Sequence, residues 1–200
     1  MNKIITVGRE FGSGGRELGR RLAEELGIQY YDKQILTRIA EETSLSPDYV
    51  SRVIESKPRM LFPITVGQSF AYATDYYVRQ MQEIYGAQTD IIRELAKKGD
   101  CVIIGRCADY ILRDLKPTRL FVYADIESRV RRCAERSRED EALSPRELER
   151  KIVSMDKDRA HYYNEFTGQR WGDKLYYDLM INTGGMDIKA AAPQLAGLFK

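Results

Sequence analysis

The sequence is poor in the side chains that most often carry acid–base or metal chemistry, with one histidine and three cysteines among 200 residues. No cysteine or carboxylate surrounds His161 in a metal-ligand pattern, and no serine–histidine–acid triad can be assembled around it. Cys101, Cys107 and Cys133 are odd in number, which argues against a disulfide framework and predicts reduced thiols. We therefore do not expect a cysteine–histidine metal site or a histidine-activated nucleophile.

Long apolar runs and an excess of one charge are also missing. No stretch approaches the roughly 18 apolar residues of a membrane span, and the first residues indicate a strand rather than a signal peptide. The 32 basic and 30 acidic residues leave a net charge of +2, so the chain lacks the positive field typical of nucleic-acid-binding proteins. With 43% apolar and 31% charged residues, we expect one soluble, cytoplasmic domain over residues 1–200.

Short apolar runs alternate with longer segments of helical periodicity, which is typical of an α/β fold with a parallel sheet. The predicted strands are 4–7, 28–31, 101–104, 120–123 and 179–182. The predicted helices are 16–26, 33–42, 47–55, 68–98, 126–138, 145–165 and 187–199. Two segments, 33–88 and 136–173, interrupt the alternation, and a loop is predicted at 57–63. We expect both segments to lie near the carboxyl ends of strands, where open α/β sheets bind ligands.

A glycine-rich stretch, Gly8–Glu17, separates the first strand from the first helix. Gly12, Gly14 and Gly15 allow the positive φ and close backbone approach that a phosphate-cradling turn needs, and the helix N-terminus behind them favours an anion. The Walker A lysine and the hydroxyl after it are absent. A gap-free comparison puts Gly15 in the lysine position, whereas matching charge to charge puts Arg16 there.

Two other interpretations of this stretch remain open. One is a tight strand-to-helix turn without a ligand. The other is a dinucleotide site in which Asp32, at the end of the second strand, would contact a ribose hydroxyl. Glu17 stands where that fingerprint requires its third glycine, and a carboxylate there is unfavourable beside a pyrophosphate.

Arginines follow two of the predicted strands. Arg106 ends the third strand and could clamp an anion, with Asp109 one turn further on to orient it; an ordinary surface arginine is the alternative. Beyond the fourth strand, helical spacing puts Arg129, Arg132 and Arg136 on one face, where a solvated helix surface is the plainer interpretation. The aromatic residues near 162–177 and 70–85 are interpreted mainly as core packing, with base stacking as the alternative.

These features together resemble the cytidylate kinase-like family, a branch of the P-loop nucleoside monophosphate kinases. The resemblance depends on residues 5–19, on Tyr30–Lys33, on Gly105-Arg106 and on 156–159. It implies a three-layer P-loop kinase fold with a five-stranded parallel sheet, a helical acceptor-binding insertion at 33–88 and a lid at 136–173. The sequence departs from the pattern at Cys107, where the family has an aspartate, and at His161, where a second arginine is expected.

The resemblance also implies roles for individual residues. ATP phosphates would be bound by Gly12, Ser13, Gly14, Gly15, Arg16 and Glu17, and Mg²⁺ by Ser13 or Glu17. The acceptor nucleotide would be bound by Asp32, Arg106 and Asp109. The catalytic charges would be Arg16, Arg132, Arg136 and Arg159, which could stabilise the transition state of phosphoryl transfer.

The expected function is transfer of the γ-phosphoryl group of ATP–Mg²⁺ to a nucleoside monophosphate, with CMP or dCMP as the acceptor. The expected partners are small-molecule nucleotides, without nucleic acid or membrane, and the oligomeric state stays open. Because the loop lysine is absent, a nucleotide-binding regulatory module with little catalysis is one alternative. A P-loop kinase for another small acceptor is the other.

Overall fold

The computed structural model describes residues 2–55, 69–136 and 143–199. In this part of the chain five parallel strands form one sheet in the order β2-β3-β1-β4-β5. The strands are β1 Ile4–Arg9, β2 Gln29–Tyr31, β3 Cys101–Ile104, β4 Thr118–Tyr123 and β5 Leu179–Asn182. All five predicted strands are confirmed. Because β1 pairs with β3 on one side and β4 on the other, the carboxyl ends of these three strands lie side by side.

Helices cover both faces of the sheet. They are α1 Gly15–Leu26, α2 Lys33–Thr43, α3 Pro47–Glu55, α4 Ser69–Lys97, α5 Ala108–Ile111, α6 Ile126–Arg136, α7 Pro145–Thr167 and α8 Ile188–Ala196. Short 3₁₀ turns occur at Arg113–Leu115, Lys174–Tyr176 and Gly197–Phe199. The seven predicted helices are confirmed, whereas α5 was not predicted because four residues are too few to show a helical period. The predicted loop at 57–63 lies outside the described residues.

The central strands β1, β3 and β4 bury side chains on both faces, as expected for a parallel sheet covered by helices. Side chains alternate between the faces with a period of two. Ile5 and Val7 of β1 pack with α1 and α8, while Ile4 packs on the opposite face with α2 and α4. In β3, Val102 packs on the same face as Ile5, and Ile103 packs on the same face as Ile4. The sheet is therefore the middle of three layers.

A serine stands just before the first proline of both α3 and α7 and caps the helix. Ser144 and Glu147 form a reciprocal capping box with Pro145 in the first turn of α7. Ser46 accepts a hydrogen bond from the Tyr49 backbone N–H at 3.2 Å, at the start of α3. Such caps satisfy backbone donors that a helix leaves unpaired, and each stabilises its helix by about 1 kcal/mol. They fix where these two helices begin.

Candidate functional site

The glycine-rich loop forms a strand–turn–helix unit between β1 and α1. Gly12 and Gly14 have φ values of +77° and +80°, in the left-handed region that glycine adopts without cost. Gly14 caps α1, whose first residue is Gly15. A Cβ at Gly14 would lie 2.2 Å from Cδ1 of Ile188 in α8, so a side chain there would also displace the end of the Ile188 side chain. The helix N-terminus, with its positive end of the dipole, thus faces the carboxyl edge of the sheet.

Ser13 braces this loop from inside. The Ser13 hydroxyl donates to the Glu10 carbonyl at 2.8 Å and accepts from the Gly15 N–H at 3.3 Å. The Ser13 carbonyl accepts from the Thr183 hydroxyl at 2.6 Å and from Arg132 Nη1 at 3.3 Å. Ser13 is completely buried, so these bonds fix the shape of the loop and tie it to the end of β5.

Arg132 and Arg136 of α6 both reach the loop region. Arg132 also donates to the Thr183 carbonyl, and burial together with the neighbouring Arg131 and Arg136 lowers its pKa. Arg136 is exposed and forms an ion pair with Glu17. Arg132 and Arg136 therefore lie on one face of α6, as predicted. Arg132 contacts the glycine-rich loop, and Arg136 contacts the first turn of α1.

A second brace joins the loop to α6 and α7. Asp156 accepts the Phe11 backbone N–H at 2.7 Å and forms an ion pair with Arg129. Arg129 also donates to the Phe11 carbonyl at 3.4 Å and lies 3.5 Å from the Glu10 carboxylate. Arg129 is buried, so a solvated face is the wrong interpretation for this residue. Neither Arg129 nor Asp156 was among the predicted site residues.

The two predicted magnesium ligands do not fit a metal ion in this arrangement. Ser13 uses its hydroxyl inside the loop, as described above. One carboxylate oxygen of Glu17 accepts from Arg21 at 3.0 Å and the other pairs with Arg136. Although burial opposes it, these two arginines lower the pKa of Glu17. Among the described residues, no group of three or more His, Cys, Asp or Glu side chains is placed to hold a metal.

Three of the predicted residues meet beyond the loop. Asp32 follows β2 and is 3% exposed. Its carboxylate lies 2.5 Å from Arg16 Nε and 3.6 Å from Arg106 Nη2. The Tyr30 hydroxyl is 3.4 Å from the same carboxylate, and burial together with the Asp32 charge raises the pKa of Tyr30 to about 12. A buried carboxylate is thus held between two guanidiniums, one from α1 and one from the end of β3.

The turn after β3 is strained in a way that orients Arg106. Gly105, Arg106 and Cys107 have φ values of +65°, +58° and +54° in succession. A left-handed conformation costs a non-glycine residue about 1–2 kcal/mol. The Arg106 carbonyl accepts from Gln88 Nε2 at 3.0 Å, which anchors the turn to α4. The Arg106 side chain is only 1% exposed, so the surface interpretation of this residue is wrong.

Asp109 lies along the same edge of the sheet, in α5. The Tyr163 hydroxyl donates to its carboxylate at 2.6 Å. Burial raises the pKa of Asp109, against the opposing effect of this hydrogen bond. This hydrogen bond ties Asp109 to α7, and the predicted role of Asp109 in orienting Arg106 stays a prediction.

Because burial raises the pKa of Asp109, we expect the free energy of unfolding to depend on pH. Because the folded state holds the Asp109 proton more tightly than the unfolded state, stability falls as pH rises from the ordinary Asp range through the raised pKa. Asp109→Asn has no carboxyl group to ionise and so lacks this loss. Measured by urea unfolding, its free energy of unfolding relative to that of the wild type should therefore rise between pH 4.5 and pH 7.5. A relative free energy of unfolding that falls over this range would show that the ionised carboxylate is the stabilised form.

Two adjacent clefts open at the carboxyl ends of β1 and β3. The loop cleft is lined by Gly12, Gly14, Gly15, Arg16, Arg132 and Arg136, among others. The edge cleft is lined by Gly105, Arg106, Cys107, Asp109, Tyr162 and Tyr163, among others. Arg9 and Arg159 line both clefts. The arginines therefore converge on the boundary between the two clefts.

Arg9 and Arg159 are in contact at this boundary. Arg159 Nη1 lies 3.4 Å from the Arg9 carbonyl, and the Arg159 guanidinium sits 5.4 Å from the centre of the Phe11 ring. Arg159 was among the predicted site residues. Arg9 was not, although Arg9 lies within the glycine-rich stretch Gly8–Glu17. Its only sequence signal is a charged residue at the end of a buried strand.

Most of the aromatic residues near the edge cleft pack against one another. Tyr162, Tyr163 and Tyr177 are buried, and Tyr85 stacks on Phe166 with ring centres 4.2 Å apart. Core packing is therefore confirmed for this cluster. The side chains of residues 70–77, which share the same prediction, lie outside the described part of the structure.

Similarity to known proteins extends over nearly the whole chain. The model of the cytidylate kinase-like family matches residues 4–185. A cytidylate kinase of Methanopyrus kandleri is 27% identical over 92% of this chain and 86% of its own length. A cytidylate kinase of Aeropyrum pernix is 32% identical over 89% of this chain and 88% of its own.

Solved structures show the same fold. An uncharacterized protein from Eubacterium ventriosum aligns with a TM-score of 0.71 and 28% identity, covering 98% of both chains. Shikimate kinase from Bacteroides thetaiotaomicron aligns with a TM-score of 0.57 at 15% identity, covering 99% of this chain and 98% of its own. No helix in the described ranges is long and apolar enough to cross a membrane. With the glycine loop, the sheet order and the family match in agreement, the chain has the P-loop kinase fold and belongs to the cytidylate kinase-like family.

Proposed function

We propose that the protein transfers the γ-phosphoryl group of ATP to a nucleoside monophosphate, with CMP or dCMP as the acceptor. The family comprises nucleoside monophosphate kinases, so the enzyme class follows from membership. Relatives named cytidylate kinase support cytidine as the base. The observation that carries the proposal is the junction of the loop cleft and the edge cleft at Arg9 and Arg159.

The proposed donor site is the loop cleft. Its backbone N–H groups and the N-terminus of α1 would receive the ATP phosphates. Arg16, Arg132 and Arg136 line this cleft and would add positive charge around the anion. Because the predicted protein ligands do not fit a metal, we propose that Mg²⁺ enters bound to ATP, with phosphate and water as its ligands.

The proposed acceptor site is the edge cleft, where Arg106 would bind the acceptor phosphate. The Asp32 carboxylate lies 3.6 Å from the Arg106 guanidinium, and Asp109 also lines the cleft. We propose segment 33–88 as the acceptor-binding insertion, since Ile54 of α3 also lines this cleft. Segment 136–173 is proposed as the lid, since α7 carries Arg159 over the boundary.

Catalysis in this arrangement needs positioning and charge rather than a covalent intermediate. An oxygen of the acceptor phosphate would approach the γ-phosphorus in line with the bond to ADP. Arginines aimed at the transferred group stabilise charge that develops in the transition state. Closing α7 over the boundary would exclude water and so prevent loss of the phosphoryl group to hydrolysis.

The acceptor can be tested with a coupled assay of ADP release. We expect CMP or dCMP to give the highest kcat/KM in a panel that also contains UMP, AMP, GMP and shikimate. A mock preparation from cells that do not express the protein, purified in parallel, measures contaminating kinase activity. A preference for another member of the panel would contradict the cytidine acceptor. ATP binding by calorimetry without turnover on any acceptor would instead favour a regulatory module.

A further inference from the structure

The side chain of Arg9 occupies space that two glycines leave open. Arg9 is the last residue of β1 and is 9% exposed. A Cβ placed on Gly15 would lie 2.6 Å from the Arg9 Cβ, and one placed on Gly105 would lie 1.7 Å from Arg9 Nη1. The Arg9 side chain therefore begins against the first residue of α1 and ends over the turn after β3.

This path explains why position 15 holds glycine. Gly15 begins α1 and is not among the residues with positive φ, so its backbone conformation alone would accept a side chain. What excludes a side chain is the stem of Arg9, with Val122 Cβ also only 3.0 Å from the Cβ position. Position 15 is the lysine position of a gap-free Walker A alignment. Because the clash is between Cβ atoms, a lysine at 15 does not fit beside Arg9 or beside any other non-glycine residue at position 9.

The Arg9 side chain lies along the proposed path of the transferred phosphoryl group. Arg9 lines both the loop cleft and the edge cleft, its guanidinium lies beside Gly105, and Arg159 contacts its backbone carbonyl from α7. The guanidinium keeps its charge at any ordinary pH, and its planar set of donors matches phosphate oxygens. Arg16, the residue predicted to replace the lysine, instead has its Nε on Asp32 at 2.5 Å.

We propose that Arg9 is the catalytic cation of this loop, contacting the terminal phosphate of ATP in place of the Walker A lysine. This inference rests on the proposed phosphotransferase function. During transfer, the bond from the γ-phosphorus to the bridging oxygen breaks as the acceptor oxygen bonds to phosphorus, and the electron pair leaves with ADP. Arg9 forms only hydrogen bonds and an ion pair with the phosphoryl oxygens throughout.

Nucleotide binding separates this role from a structural one. Arg9→Ala should weaken ATP binding about tenfold in calorimetry but ADP binding less than about twofold, because ADP lacks the phosphate that Arg9 contacts. Arg9→Lys should lie between Arg9→Ala and the wild type. Arg20→Ala, which removes an exposed arginine paired with Glu24, should change neither. Equal weakening of ATP and ADP would overturn the proposal, since a distorted loop affects both nucleotides.

A pair of double variants at positions 9 and 15 tests whether Arg9 takes the place of the Walker A lysine. Arg9→Gly/Gly15→Lys removes the arginine stem and restores a lysine, whereas Arg9→Gly/Gly15→Ala is matched in backbone and Cβ but has no cation. We expect the lysine double variant to have a kcat at least about tenfold above the alanine double variant, with similar melting temperatures. Equal kcat values in two folded variants would overturn the proposal.

The calorimetric measurements of ATP and ADP binding also distinguish failure of the proposed function from failure of this inference. If the wild type binds ATP but phosphorylates no acceptor, the phosphotransferase proposal fails. The ratio of the ATP and ADP effects in Arg9→Ala then decides the role of Arg9 as a γ-phosphate contact. A ratio near one would overturn it, and a ratio near ten would support it.

Discussion

Replacing Arg159 by alanine is expected to lower kcat by about 10²–10³-fold, the loss usually seen when one preorganised donor to a transition-state charge is removed. Arg159 projects from the middle of α7, lines both clefts and contacts the Arg9 carbonyl at 3.4 Å. It therefore reaches the boundary of the two clefts from α7, on the proposed path of the phosphoryl group. Steady-state kinetics with ATP and the best acceptor would measure the loss.

The expected pattern is a fall in kcat that exceeds any rise in KM, because the interaction strengthens only as charge develops in the transition state. Arg159→Lys keeps one positive charge but loses the planar donor set, and it should recover part of the rate. Arg146→Ala removes an exposed arginine from the same helix and serves as the matched control. A kcat within about twofold of the wild type would remove Arg159 from the transition state.

The sheet and the loop could be predicted from the sequence because their signals are local. Continuous apolar runs such as 101–104 mark strands buried on both faces, and all five runs are strands in the structure. Gly12 and Gly14 mark a turn because few other residues adopt their φ values without strain. The order of these elements along the chain then indicated the α/β class.

The contacts of the arginines could not be predicted in the same way. Helical spacing places Arg129, Arg132 and Arg136 on one face of α6, but it does not say what that face meets. In the structure Arg129 binds Asp156, while Arg132 binds the Ser13 carbonyl. Each partner is more than 20 residues away along the chain, so only the packing of α6 against the loop and α7 brings them together.

Arg9 was missed for a related reason. Its own sequence context is a strand end followed by a loop, which gives no direction for the side chain. The information lies in Gly15 and Gly105, whose missing Cβ atoms make room for it at two separate points. The sequence showed both glycines, but the Gly15 position was interpreted as an absent lysine rather than as room for an arginine.

Asp156→Ala is expected to destabilise the fold by about 3 kcal/mol, because it leaves the buried Arg129 without its closest carboxylate. It also removes the acceptor of the Phe11 N–H, which is bonded at 2.7 Å. In a chain of this size each kcal/mol shifts the melting temperature by about 2–4 °C. Thermal unfolding should therefore show a fall of about 6–12 °C. The glycine loop should also lose its fixed position, so kcat should fall even at temperatures where the variant is folded.

A double-mutant cycle identifies the source of this loss. If the cost comes from an uncompensated charge, Arg129→Ala/Asp156→Ala should lose less stability than the sum of the two single variants, by about 1–3 kcal/mol. The double variant should nevertheless stay slow, because the Phe11 N–H and carbonyl have both lost their partners on α6 and α7. Additive stability losses would show that the two side chains do not act as a pair. A fully active double variant would show that the loop holds its catalytic shape through Ser13 and Thr183 alone, without the brace from α6 and α7.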